Sequence, residues 1–123
     1  MTTVTPEEFE NFRSQWGETP EVRESLEILE NNLKECDWIL EDTTTLIAVE
    51  TGESTVLMGD SLLDNLVEKS RTHLCKPEVK KGWDDLKDVL ELLKEFLPTP
   101  VPLVMACVFK LWEIGLKNLC KNE

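Results

Sequence analysis

With 123 residues, 41% hydrophobic and 31% charged, the chain is sized for one folded domain with a real core, which excludes disorder throughout. A formal net charge of −12 and a pI near 4.5 argue against general nucleic-acid binding and against docking on anionic lipid, both of which need cations. The charge is uneven: residues 1–75 hold 17 Asp+Glu against 5 Lys+Arg, whereas residues 76–123 hold 8 of each. Basic or neutral partners are therefore expected for the first half.

Met1–Thr5 reads as a flexible N-terminus. It lacks the apolar segment of a secretory signal, so a cytoplasmic location is expected. The cysteines Cys36, Cys75, Cys107 and Cys120 are then expected as four free thiols in a reducing compartment.

Helical signals begin at Thr5-Pro6, with Thr5 as cap, Pro6 at the first helical position and Glu8 three residues after the cap. Phe9, Phe12 and Trp16 follow at 3–4 spacing, and Gly17 stops this short first helix. Thr19-Pro20 repeats the start signal. Val22, Leu26, Leu29, Leu33, Cys36 and Leu40 then alternate steps of 4 and 3, a packing seam that Thr43 and Ile47 would extend. Thr43–Met58 has two readings. Either the helix runs to about Glu50 and a loop follows, or Leu46–Val49 and Thr55–Met58 form a small β-hairpin around Thr51-Gly52.

Ser61 with Asp64 reads as a capping box ahead of Leu62, Leu63, Leu66, Val67 and Leu74. Pro77 separates this third helix from a fourth. There Val79, Trp83, Leu86, Leu90, Leu93 and Leu97 step 4-3-4-3-4, with Lys80–Asp84, Lys81–Asp85 and Lys87–Glu91 as i,i+4 pairs. Pro98-Thr99-Pro100-Val101-Pro102 redirects the chain. The last helix, from about Pro102 to Leu119, is apolar nearly all round, so other helices or a second chain must surround it. At nine residues, Val101–Phe109 is far short of the roughly 20 that span a bilayer, and no membrane association is expected. The fold class is all-α: one domain over 1–123, a bundle of about five helices, one short and four longer. In architecture it resembles small helical-bundle adaptor and regulatory domains, which leaves function open.

Catalytic groups are few: one histidine and no tyrosine. His73 and Cys75, two apart on a helix, point to different faces, so a metal or Cys–His pair is not expected. Asp84-Asp85-Leu86-Lys87-Asp88 resembles, over five residues, the DDxxD magnesium–diphosphate motif of prenyl-transferring enzymes. That similarity makes Asp84, Asp85 and Asp88 weak metal candidates. No second acidic motif accompanies them, and nearby lysines offer ion pairs instead. No catalytic residue and no cofactor is expected.

Surplus apolar residues, together with exposed glutamates, point to binding. Trp38, Ile28 and Ile39 leave apolar surface beyond one narrow stripe, and Glu24, Glu27 and Glu30 line an exposed helix face. The leading expectation is a non-catalytic protein–protein interaction or regulatory module, with homodimerisation through the Val22–Leu40 seam or around the last helix as one form. The alternatives are an acidic inhibitor or immunity-type protein covering a basic surface, and a small Mg-dependent enzyme using helix carboxylates.

Overall fold

A computed structural model describes residues 2–17, 19–52 and 62–120. Among these residues the chain forms α-helices and no strand: α1 (Pro6–Ser14), α2 (Pro20–Glu35), α3 (Leu40–Glu50), α4 (Leu62–Leu74), α5 (Pro77–Lys80), α6 (Leu86–Phe96) and α7 (Val101–Ile114). A 3-10 turn follows at Leu116–Asn118. The all-α class stands, but among the described residues there are seven helices rather than about five, because two expected long helices are each broken in two.

The first break divides the seam that begins at Val22. Asp37 and Trp38 take left-handed backbone conformations, with φ of 54° and 61°. The Trp38 N–H then donates back to the Leu33 carbonyl at 2.7 Å. The chain reverses, yet Leu40, Thr43 and Ile47 still reach the core. Periodicity survived because the reversal keeps the same residues inward. The second break, at 81–85, leaves Lys80–Asp84 and Lys81–Asp85 off any continuous helix, so those expected pairs do not form.

The threonine run 43–45 is helical despite its poor propensity. Each hydroxyl donates to the carbonyl four residues back, at 2.8, 2.8 and 3.2 Å. Helix to Glu50 matches the first reading of this region, and a hairpin strand at 46–49 is excluded. Thr55–Met58 and the cap residue Ser61 lie outside the described residues.

α7 is the axis. Leu103 through Phe109 and Leu111 are buried, and α2, α3, α4 and α6 all pack on it. The aromatic stripe of α1 meets the same helix: Phe12 lies 4.8 Å from Phe109 and 5.4 Å from Trp112 between ring centroids. The Val22–Leu40 seam is likewise consumed inside the chain, since Val22, Leu26, Leu29, Leu33 and Leu40 are all buried. The apolar seam of α2 and most of α7 are thus used within the chain.

Residues 2–4 are not loose. Thr3 bridges Ile39 in antiparallel fashion; the Val4 N–H donates to the Trp38 carbonyl, and the Leu40 N–H to the Thr2 carbonyl, both at 2.8 Å. Thr2 and Val4 are buried, so the expected flexible end is instead a strap. The chain's other end is fastened by a Cys75–Cys120 disulfide, with Cα atoms 5.5 Å apart, and by Arg71 Nε donating to the Leu119 carbonyl at 2.8 Å. The expectation of four free thiols is corrected: Cys36 and Cys107 are free, and Cys75 and Cys120 are bridged. Gly115, at φ 97°, makes the reversal that brings Cys120 back to α4.

Candidate functional site

The acidic surface is built on α1 and α2. Thr5 caps α1 with its hydroxyl on the Glu8 N–H, while the Glu8 carboxylate accepts from the Thr5 N–H. Pro20 starts α2, but the Thr19 hydroxyl turns to the Trp16 carbonyl instead of capping. Burying Val22, Ser25, Leu26, Leu29, Asn32 and Leu33 leaves Glu21, Glu24, Glu27 and Glu35 exposed on the outer arc. Arg13 of α1 reaches Glu30 of α2 at 2.6 Å and ties the two helices together. Among the described residues Glu7, Glu24, Glu27 and Glu35 form no ion pair.

The six partner-facing candidates do not form one patch. At 100° per residue, Glu24 and Glu27 lie on the outer arc of α2, Ile28 lies at one edge of it, and Glu30 turns to the opposite edge to meet Arg13. Ile28 is half-buried against the core. Trp38 also packs on the core, and Ile39 pairs with the N-terminal strap. Of the other tryptophans, Trp16 is buried beside Phe12 and Trp83 donates its indole N–H to the Leu74 carbonyl at 3.0 Å.

The acidic motif at 84–88 has a local structural task. Asp85 Oδ1 accepts from the Asp88 N–H at 3.0 Å, and Asp88 Oδ2 accepts from the Asp84 N–H at 3.1 Å. These bonds cap α6. No group of three or more His, Cys, Asp or Glu side chains converges as metal ligands among the described residues.

Cys107 is fully buried, and its Sγ lies 3.3 Å from Ser70 Oγ. Burial pushes its thiol pKa up to about 11, against a smaller lowering by that hydrogen bond. Burial also raises the Cys36 thiol, only partly offset by a hydrogen bond with Thr43.

A partly buried polar cluster joins three elements. The Thr2 N–H and hydroxyl both reach the Glu41 carboxylate at 2.7 Å, and Lys110 Nζ donates to Thr2 Oγ1 at 2.8 Å. Burial works to raise the Glu41 carboxyl, but the hydrogen bonds from Thr2 outweigh it and hold the group below its ordinary value. Beside it, burial and then a hydrogen bond with Glu8 raise the Glu113 carboxyl.

Other concavities involve the second half of the chain. One of about 260 Å³ is lined by Glu68, Lys69, Thr72, His73, Lys76 and Phe96. Sequence reasoning gave no signal for the His73–Phe96 contact, because stacking between separate helices has no spacing rule. The N-terminal strap was missed as well: Thr2 and Val4 point in and Thr3 points out, but Thr2-Thr3-Val4 carries no alternation of polarity that would mark it.

Comparison of the chain with protein-family models, with curated proteins and with solved structures finds no match to any of them.

Proposed function

We propose that the chain is a non-catalytic helical interaction module that presents the acidic α1–α2 surface to a basic partner. The observation that carries this reading is the set of exposed carboxylates that form no ion pair among the described residues, Glu24, Glu27 and Glu35 on α2 and Glu7 on α1, on helices tied together by Arg13–Glu30. Side chains with catalytic potential have structural engagements instead. Asp85 and Asp88 cap α6, Cys75 is bridged, Cys107 is buried, and Glu41 is held by Thr2.

A face of this kind adds specificity and on-rate through complementary charge. It is also the face an inhibitor would use to cover a basic groove, and the net charge of −12 favours that second reading. The two differ in salt response, because steering between strongly opposite surfaces is screened beyond about 8 Å at physiological ionic strength.

The test is titration of a lysine-rich amphipathic peptide against the chain and against a Glu24→Lys/Glu27→Lys variant, at low and moderate salt. The reading expects binding that weakens about tenfold or more in the variant and loses most of its salt dependence. Equal affinity for both proteins would overturn it.

A further inference from the structure

We propose that His73 and Phe96 form a binding platform for a small aromatic monocarboxylate, with Lys69 and Lys76 meeting its acid group. The platform joins α4 to the end of α6. The two rings are 3.9 Å apart between centroids and 4° from parallel. Phe96 remains 39% exposed, so this stack has an open side in a chain that buries most of its aromatics. His73 Nδ1 is shielded and has no hydrogen-bond partner, which leaves stacking as the contact that orients the ring.

The cations are placed to serve a ligand lying on that open side. Lys69 lies one helical turn before His73. Lys76 follows the end of α4, its N–H donating to the His73 carbonyl at 3.2 Å. Both line the same concavity, with the Thr72 hydroxyl between them in sequence. Neither lysine forms an ion pair among the described residues, although carboxylates greatly outnumber cations in this chain.

Charge and size narrow the ligand. The pocket lies at the C-terminal end of α4, where the helix dipole is negative, and Glu68 is part of its lining. Both oppose a second negative charge, as does the whole-chain charge of −12. No arginine fork and no ring of helix N-terminal amides, the usual phosphate holders, lines the site. A monocarboxylate fits these terms and a phosphate does not. A volume of about 260 Å³ is below the roughly 300–1,000 Å³ of pockets for drug-sized ligands, which indicates a single ring on a short acid arm.

His73 is the chain's single histidine, so its ring resonances report on this site without ambiguity. The probe is 3-phenylpropionate, with 3-phenylpropionamide and inorganic phosphate as comparisons, followed by NMR on the full chain. The expected result is a saturable shift of the His73 ring signals with the acid, and binding about tenfold or more weaker for the amide. A Lys69→Gln/Lys76→Gln variant should lose acid binding to the same degree while keeping the free-state His73 signals that mark an intact stack. If that variant does not fold, the acid–amide comparison on the unaltered chain decides alone. Equal binding of acid and amide, an equal or stronger response to phosphate, unchanged binding in a folded lysine variant, or no saturation by about 10 mM acid would each overturn the proposal.

Discussion

Lys110 and Thr2 are 108 positions apart in sequence, yet the lysine ammonium donates to the threonine hydroxyl at 2.8 Å. That hydroxyl in turn meets Glu41 at 2.7 Å, so one threonine joins the strap, α3 and the central helix. A segment with no helical structure of its own thus joins α3 to the central helix through a polar cluster at the edge of the core.

Replacing Thr2 with valine keeps the shape but removes the hydroxyl. The Glu41 carboxylate and the Lys110 ammonium would each lose a partner in a partly buried site. The expected cost is about 1–3 kcal/mol, read as a lower denaturant midpoint with an unchanged slope. An unchanged midpoint would show that the Thr2 hydroxyl does not contribute to stability.

Glu113 makes the fold sensitive to pH. Its carboxyl is raised by burial first, then by its hydrogen bond with Glu8 and the Glu8 charge, while Lys110 opposes them and Glu41 adds to them. A folded-state value above the unfolded one gives stability that is complete at low pH. That stability is lost as pH rises through the folded value. Glu41 is shifted the other way, so its contribution is present at neutral pH and fades on acidification. Melting Glu113→Gln beside the unaltered chain from about pH 4 to pH 7 separates the two: the unaltered chain should lose stability relative to the glutamine variant as pH rises. Parallel curves would exclude a raised Glu113 carboxyl.

The disulfide closes a 45-residue separation between α4 and the C-terminal turn. Loops of this size imply about 2–4 kcal/mol of stabilisation, which a Cys75→Ser/Cys120→Ser variant should forfeit in urea unfolding. Without reductant, a thiol reagent on the native chain should modify the half-exposed Cys36 and spare the buried Cys107. Two additional native thiols would show that the bridge is open.

Asp85 and Asp84 should respond differently to alanine. Asp85→Ala removes the side-chain cap of α6 and is expected to cost about 1 kcal/mol. Asp84 contributes its backbone N–H to this arrangement, so Asp84→Ala should be nearly silent. Magnesium should shift neither melting curve. A magnesium-dependent rise that both substitutions abolish would restore the metal reading.

Much of this fold can be read from residue spacing, because spacing reports which side chains face inward. Thr5, Pro6 and Glu8 mark the start of α1, and the apolar run in 101–109 marks a helix enclosed by others. Spacing is blind to a reversal that preserves inward facing, so the turn at Asp37-Trp38 left no trace in the 4-3 pattern. It is equally blind to pairings made by distant turns. Cys120 meets Cys75 because Gly115 redirects the chain, and His73 meets Phe96 because α6 ends beside α4. The acidic face is legible as composition. Its division into an outer arc and a flank bound to Arg13 depends on where α1 docks, which no local signal in α2 records.

The central position of α7 also sets an order of events at the ribosome. The helices that pack on it are synthesised first, and their apolar faces have no common axis until residues 101–114 emerge. Long-range closure of this kind slows folding and leaves nascent surfaces open to other chains. A fragment ending at Pro100 should accordingly bind a hydrophobic dye that the full chain excludes, and native-like compactness of that fragment would count against an assembly completed last at its centre.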